Sequence, residues 1–159
     1  MKKLSENSYF FISDINSNEI KARLHERILR KESLTMERTQ KDFIGKLYEN
    51  KFSLIDSWFP IGSACVIDGI INGDDSTQIN LTTSLQKAFQ ILFLIWIIVI
   101  TGLVILGSIK TSNQSFSIGP YFVLLIGIVF FRLFIHGIYV LARNSSINKL
   151  EWILELKQN

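Results

Sequence analysis

The stretch AFQILFLIWIIVITGLVILGSI, from Ala88 to Ile109, contains no charged side chain. As an α-helix with a rise of 1.5 Å per residue it would be about 33 Å long, enough to cross a hydrocarbon core of roughly 30 Å. A second apolar stretch, IGPYFVLLIGIVFFRLFIHGIYVLA, runs from Ile118 to Ala142, and its Pro120 falls in the first turn, where a missing N–H costs little. The short polar segment between them predicts a transmembrane hairpin. A buried helical pair in a soluble core is the alternative, but no other segment is apolar enough to cover both helices.

Basic residues near the ends of the two spans predict the orientation of this hairpin. The connecting loop, residues 110–117, contains Lys110 as its only charge, whereas Lys87, Arg143, Lys149 and Lys157 flank the outer ends of the two spans. Loops rich in Lys and Arg remain on the cytoplasmic side of a membrane. We therefore expect a multi-pass inner-membrane protein with both termini in the cytoplasm and the connecting loop outside.

Ionisable residues in the second span form the most unusual pattern in the chain. Arg132, His136, Tyr139 and Arg143 have spacings of four, three and four, which place them on one helical face. In an antiparallel pair, Gln90 of the first span would lie at a similar depth. Ionisable groups inside a membrane are a functional-site hypothesis by default. The pattern predicts an intramembrane polar face made of Gln90, Arg132, His136 and Tyr139.

Four interpretations of this polar face remain open. The residues can hold the two helices together by hydrogen bonds, or Arg132 can extend its side chain to the cytoplasmic headgroups. They can instead bind lipid headgroups, or they can line a path for ions or protons. The last interpretation requires an oligomer, because a single two-helix hairpin encloses no pore.

Residues 1–84 predict a cytoplasmic α+β domain that begins with a short strand, SYFFIS, and a helix in NSNEIKARLHERILRKES. Ile20, Leu24 and Ile28 recur every four residues, and Ser17 or Asn18 is placed to cap the helix. The basic side chains of this helix can contact anionic lipid or form the solvated side of a helix docked on a sheet. Arg143, which follows the second span, is a further candidate for contact with lipid. The full set of candidate lipid contacts is Lys21, Arg23, Arg27, Arg30, Lys31 and Arg143.

After Met36 the apolar period changes from four to two, which is typical of strands. DFIGKLY, ENK and FSLIDSW predict one β-hairpin, and ACVIDGII and TQINLTT predict a second around NGDDS, where Asn72-Gly73 is a strong turn signal. Together they predict a four-stranded antiparallel meander with one wet face. The residues expected on its inner face in the first hairpin are Phe43, Gly45, Leu47, Phe52 and Leu54.

The tail, residues 143–159, predicts a separate amphipathic helix that Ser145 or Ser146 can cap. It can pack back onto the sheet, or lie in the membrane interface with Trp152 as an anchor. The predicted fold class is therefore an α+β membrane protein with three parts. These are a β-meander domain with one helix (1–84), a transmembrane hairpin (85–142, with spans at about 88–109 and 118–142) and a C-terminal amphipathic helix (143–159).

One pattern of short motifs resembles a known group of proteins. Between Phe43 and Leu81 the chain reads F-I-G, F-S-L, S-W-F-P-I-G, V-I-D-G-I-I and T-Q-I-N-L. This pattern, followed by the two spans, resembles small uncharacterised bacterial two-span membrane proteins. A strand meander and a closing helix with a membrane hairpin between them also look like bacterial pleckstrin-homology-like membrane proteins. The resemblance implies an architecture in a bacterial inner membrane and implies no activity.

The sequence offers no set of catalytic or cofactor-binding residues. It contains no Walker phosphate loop, dinucleotide glycine pattern or nucleophile elbow. Its one cysteine, Cys65, lies among apolar residues and is expected to be a small buried side chain. Asp74 and Asp75 lack the further ligands of a calcium loop and are expected in a solvated turn. We predict no enzyme, no cofactor and no bound metal.

Charge also argues against nucleic-acid binding, because residues 1–87 contain 12 basic and 12 acidic side chains. The expected function is that of a non-enzymatic interaction or accessory protein, which binds a protein partner or a second copy of itself as a homo-oligomer. Exposed sheet edges, Asp68, Trp58 and the basic helix are the expected contact features. Two alternatives stay open: an oligomeric membrane-perturbing effector or small pore, and a lipid- or ligand-sensing domain.

Overall fold

The computed structural model describes residues 7–35, 37, 39–58, 61–73, 77–110 and 119–158. The chain divides into two compact units, each described by itself below. The sheet unit comprises Met1–Gln86 and Ile138–Asn159, and the helical unit comprises Lys87–Gly137. The elements are, in order, β1 (Asn7–Ser13), α1 (Ser17–Arg27), β2 (Ile28–Arg30), β3 (Phe43–Leu47), β4 (Lys51–Asp56), β5 (Cys65–Asn72), β6 (Thr77–Leu85), α2 (Lys87–Lys110), α3 (Gly119–Leu154) and β7 (Lys157–Gln158).

The sheet unit is built on one mixed sheet with the strand order β2-β3-β4-β5-β6-β1-β7. Strands β3 to β6 pair antiparallel in sequence order, so the predicted α+β class and the predicted meander are confirmed. The predicted first strand is also present, and it pairs antiparallel with β6. The sheet is wider than the four predicted strands because β2 adds to β3 in parallel and β7 adds to β1.

Helix α1 is shorter than its sequence predicts. Its N-cap is Asn16, whose side chain accepts a 2.8 Å hydrogen bond from the Glu19 N–H, so both predicted caps are wrong by one or two residues. The helix ends at Arg27, because Ile28 adopts an extended backbone and pairs with Phe43 in the sheet. Ile28 keeps the predicted buried position, but it reaches that position from a strand, where its β-branched side chain is favoured.

The main core of the sheet unit lies on the face that carries the inward residues of the meander. Phe43, Gly45, Phe52 and Leu54 are buried as predicted, and Leu47 is half-buried. Ile20 and Leu24 of α1 are fully buried, as are Leu150 and Leu154 of α3. Ser13 of β1 donates a hydrogen bond to the Leu154 carbonyl at 3.1 Å. The end of α3 therefore packs on the sheet, which was one of the two predicted positions for the tail.

The opposite sheet face is also partly buried, which the alternating pattern did not predict. Ile44, Ile55 and Val66 form a second apolar cluster on adjacent strands, and the partly buried Leu29 and Leu34 pack against it. The backbone carbonyl of Leu34 accepts a 2.7 Å hydrogen bond from the Gln86 side chain. The segment after β2 thus covers one end of this face and leaves the other end open.

Helix α3 is continuous over 36 residues, so the predicted separate helix after Arg143 is not present as such. Ser146 lies inside the helix and is buried, and therefore it does not act as a cap. The stretch from Ile138 to Leu154 contains neither glycine nor proline, so nothing in it interrupts the helical hydrogen bonds.

The helical unit contains α2 and the part of α3 up to Gly137. Two helices in the structure, at Lys87–Gly107 and Tyr121–Leu154, are long and apolar enough to cross a membrane. Within the unit, the ring of Phe131 stacks on Phe93 and on Trp96, with centroids 5.8 and 4.3 Å apart. Most other apolar side chains point outward, as shown by Phe130, which is 69% exposed.

Candidate functional site on the open sheet face

The rest of the second sheet face carries exposed and half-buried side chains, and we call it the open face. Strand pairing aligns these side chains in two rows, the first across β1, β6, β5, β4 and β3 and the second across the first four of these strands. All of these side chains are exposed or half-buried. The first row is Ser8, Thr82, Asp68, Ser53 and Lys46, and the second row is Phe10, Asn80, Ile70 and Lys51.

Two apolar side chains lie in the second row of the open face. Phe10 is 39% exposed and Ile70 is 41% exposed, and Asn80 lies between them on the intervening strand. Neighbouring strands are about 4.8 Å apart, so the two apolar residues are roughly 10 Å apart. The first row is polar, and its Ser53 hydroxyl donates a 2.6 Å hydrogen bond to Asp68. The open face thus presents two exposed apolar side chains among polar ones, a mixture that protein-binding surfaces also contain.

Sheet edges are a weaker candidate surface than the sequence predicted. The outer strands of the predicted meander, β3 and β6, are not edges, because β2 and β1 pair with them. The edge strands of the described sheet are β2 and β7, with three and two residues. Short edge strands offer little backbone for pairing with another chain. The surface available to a partner is therefore a sheet face.

The two single residues predicted as contact features lie in different places. Asp68 lies on the open face, where it is exposed. Trp58 is 51% exposed, but it follows β4, and its backbone N–H donates a 2.9 Å hydrogen bond to Asp56. The open face therefore includes Asp68, and Trp58 belongs to the segment that leaves the sheet after β4.

Three of the six predicted lipid contacts form ion pairs inside the sheet unit. Arg23 binds the carboxylates of Glu19 and Glu155 at 2.9 and 2.8 Å. Both hydrogen bonds raise the pKa of the Arg23 guanidinium, and the one to Glu155 has the larger effect. Arg27 pairs with Asp42 at 3.2 Å, and Lys31 pairs with Glu37. The positive charge of α1 is thus largely balanced by nearby carboxylates.

The other three predicted lipid contacts have polar or open surroundings. Lys21 donates a 2.9 Å hydrogen bond to the side chain of Asn50, and Arg30 is exposed. Both line an open groove of about 770 Å³ between α1 and the turn after β3, together with His25, Glu26 and Glu49 among others. Arg143 donates to Asn144, and its guanidinium lies 5.8 Å from the centre of the Tyr139 ring. The mixed charges of the groove favour no particular ligand.

The predicted intramembrane polar face is divided between the two units. Tyr139 belongs to the sheet unit, where it is 1% exposed and its hydroxyl lies 3.0 Å from the Thr83 hydroxyl. Gln90, Arg132 and His136 belong to the helical unit, in which Arg132 and His136 are exposed on α3. Tyr139 therefore serves the packing of α3 on the sheet.

A buried ion pair between Asp56 and Lys149 was not predicted from the sequence. Asp56 is 1% exposed, and one of its oxygens lies 2.8 Å from the Lys149 ammonium. The same carboxylate accepts hydrogen bonds from the Trp58 N–H and from the Ser146 hydroxyl. The Lys149 ammonium also lies 5.5 Å from the centre of the Phe43 ring. This network attaches the end of α3 to the sheet. The sequence places Lys149 only among the basic residues that flank the second span.

The described residues contain no group of three or more His, Cys, Asp or Glu side chains able to hold a metal ion.

The strong turn signal at Asn72-Gly73 agrees with the backbone, since Gly73 has a φ of 91°, a region that favours glycine. Asp74 and Asp75, predicted in a solvated turn, lie outside the described residues.

Cys65 is expected to be unreactive in the folded protein. Its side chain is fully buried, and the loss of solvation is the main cause that raises the pKa of the thiol to about 12. Arg143 acts in the opposite direction, and Asp56 and Asp68 act in the same direction, each with a smaller effect. Since the thiolate is the reactive form, alkylation by iodoacetamide at pH 7.5 should be roughly 1,000-fold slower than for an ordinary cysteine. Intact-mass measurements before and after unfolding in guanidinium chloride test this. Rapid labelling of the folded protein would contradict it.

Comparison with protein-family models, with curated proteins and with solved structures gives no match for this chain. The resemblance to bacterial two-span and pleckstrin-homology-like membrane proteins therefore stays a prediction.

Proposed function

We propose that this chain is a non-enzymatic, membrane-anchored interaction protein. The two apolar helices cross the bacterial inner membrane as a hairpin, and the sheet unit lies on the cytoplasmic side. There it binds a protein partner or a second copy of this chain. The observation that carries the proposal is the contrast between an apolar helical unit and a sheet unit whose open face presents two exposed apolar side chains among polar ones.

The composition of the helical unit supports the membrane part of the proposal. None of the side chains in the most apolar stretch of α2 is buried within the structure. In water, such a surface would associate or aggregate, whereas in a bilayer it is solvated by lipid. No Asp or Glu occurs between Lys87 and Gly137, which also fits a lipid environment.

The sheet unit supports binding rather than catalysis. Its buried charges are used structurally, as in the Asp56–Lys149 pair, and its cysteine is buried. Phe10 and Ile70, by contrast, remain partly exposed on the open face, where they fill no core. A partner that covers both residues would gain the free energy of burying their apolar surface.

The pore alternative has less support from the geometry. It requires a continuous polar face along the second span, and Tyr139, which would extend that face, is buried in the sheet unit. The remaining ionisable pair, Arg132 and His136, extends over little more than one helical turn.

The proposal predicts a complex that depends on the open face. The full chain, retained in carbonate-washed membranes and then extracted in mild detergent, should appear in native mass spectrometry at a fixed ratio with another chain or with itself. Replacing Ile70 by lysine should weaken that complex about 30-fold, a loss of about 2 kcal/mol that is typical for a residue at the centre of an interface.

Trp152→Lys is the matched control, because Trp152 is 74% exposed on α3 and lines a groove with Arg23 and Arg27 of α1, outside the two rows of the open face. Both variants should unfold at the same temperature as the natural chain. An isolated monomer, or a complex equally stable in the Ile70→Lys and Trp152→Lys variants, would refute the proposed surface. Release of the chain by the carbonate wash would refute the membrane anchor.

A further inference from the structure

We propose that Arg132 binds the phosphate of an anionic phospholipid at the cytoplasmic end of the two spans. The proposal rests on the membrane crossing proposed above. It starts from an exposed guanidinium in the helical unit, which forms no hydrogen bond or ion pair with any residue that the structure describes. The unit has no carboxylate in its sequence, so its counter-ion must come from outside it. An unpaired charge in contact with hydrocarbon is strongly unfavourable.

The contacts between α2 and α3 fix the depth of Arg132. Phe93 of α2 contacts Phe131 of α3. Three residues later in α2, the ring of Trp96 lies beside Gly127 of α3, where an added Cβ would be 3.7 Å away. Increasing residue numbers in α2 therefore match decreasing numbers in α3, as in an antiparallel pair. Extending this register places Lys87, the first residue of α2, level with the end of the helical unit at Gly137.

Arg132 is thus close to the end of the span, and not near its middle. It lies five residues before Gly137, which corresponds to about 7.5 Å along a helix. An arginine side chain is long enough to cover most of this distance, with its methylene groups in the apolar region and its guanidinium among the headgroups. The sequence prediction placed Arg132 deeper, because it took Ala142 as the end of the span.

The direction of Arg132 around the helix also favours lipid over a helical partner. Phe131 and Gly127 lie on the side of α3 that contacts α2. Successive residues are rotated by about 100°, so Arg132 projects from the flank of this contact, and the exposed His136 follows one turn later on the same flank. A flank of a two-helix hairpin in a membrane faces lipid.

A phosphate is the ligand that this side chain fits best. The planar guanidinium presents parallel N–H groups that bind two phosphate oxygens at once, and it remains charged at any physiological pH. An anionic lipid such as phosphatidylglycerol is preferred to a zwitterionic one, since it has no ammonium group that competes for its own phosphate. Lys87, which is also exposed and lies level with Gly137, where the Arg132 guanidinium would reach the headgroups, adds to the attraction.

The test measures retention of phosphatidylglycerol by the full-length chain. Protein reconstituted in nanodiscs of phosphatidylcholine with one-fifth phosphatidylglycerol is released into the gas phase, and the bound lipid is counted by native mass spectrometry. Arg132→Gln should lower the apparent affinity for phosphatidylglycerol about five- to tenfold, the effect expected for one basic side chain near an anionic surface. Arg132→Lys, which keeps the charge and loses the bidentate geometry, should lie between the two.

Lys41→Gln is the control, because it removes the same charge from an exposed position of the sheet unit that lies before β3 and in neither row of the open face, so it should leave lipid retention unchanged. Equal retention in the natural chain and in Arg132→Gln would overturn the inference, as would an equal loss in Lys41→Gln. Both results would leave the membrane anchor intact, provided that the variants remain in carbonate-washed membranes. Failure of the natural chain to remain there would instead refute the proposed function.

Discussion

Replacing Lys149 by methionine is expected to lower the free energy of unfolding of the sheet unit by about 3–5 kcal/mol. The substitution keeps most of the side-chain volume and removes the ammonium that lies 2.8 Å from the Asp56 carboxylate. Asp56 would then be a buried anion with two remaining hydrogen-bond donors, the Trp58 N–H and the Ser146 hydroxyl. An uncompensated buried charge is far more unfavourable than the loss of an exposed pair. Denaturant unfolding of the detergent-solubilised chain measures the effect.

Two further variants separate the charge effect from a general effect of substitution. Arg27→Met removes an ion pair whose side chains are 47% and 29% exposed, so it leaves no fully buried charge, and it should change the stability by less than about 1 kcal/mol. The double variant Asp56→Leu with Lys149→Met removes both charges and should recover much of the lost stability. Equal effects of Lys149→Met and Arg27→Met would show that burial gives the Asp56 pair no special role.

A local measurement should show the same effect at the end of α3. Because Lys149 attaches this segment to the sheet, its loss should speed amide hydrogen exchange in the last turns of the helix, around Leu150 and Leu154. Exchange in β5 and β6, which form the middle of the sheet, should change less. Uniform acceleration across the sheet would indicate global destabilisation instead.

The meander could be predicted because its signals are local. Alternating apolar residues and the Asn72-Gly73 turn define strands and a hairpin within a few residues of sequence. Phe43, Phe52 and Leu54 were assigned to the inner face for the same reason, and the structure confirms this. The two apolar helices could be predicted as well, since length and composition are enough to identify a helix that could cross a membrane.

The flanking strands could not be predicted, because their signals depend on distant partners. Ile28 continues the four-residue spacing of α1, and only its pairing with Phe43 shows that it belongs to a strand. The two residues of β7 are too few for any periodicity. Without these strands the meander appeared to have free edges, and so the sequence placed the binding surface on an edge and not on the open face.

The charged network that attaches α3 was hidden for a related reason. Asp56 and Lys149 are 93 residues apart, and each has an ordinary local role, one at the end of a strand and one beside a membrane span. The same holds for Tyr139, whose spacing fits a polar face of the span although its hydroxyl contacts Thr83 of the sheet. Helical spacing predicts which residues share a face, but it does not predict what that face contacts.

Replacing Gly69 by alanine is expected to lower the stability of the sheet unit by about 2 kcal/mol. Gly69 lies opposite Phe52 on the neighbouring strand, and a Cβ at this position would overlap the Phe52 ring. That ring is 2% exposed, so it cannot move aside without disturbing the core. Overpacking of a core costs about 1–3 kcal/mol, and the better strand propensity of alanine offsets only part of this.

The companion substitution Phe52→Leu tests the cause of this destabilisation. Phe52→Leu alone should be destabilising, because it leaves empty space above Gly69. In the double variant the new methyl group occupies part of that space. The double variant should therefore lose about 1 kcal/mol less stability than the sum of the losses in the two single variants. Gly102→Ala, where an added Cβ meets no atom within 4 Å, is the control and should leave the unfolding of the sheet unit unchanged. Strict additivity of Gly69→Ala and Phe52→Leu would show that contact with the ring is not the cause.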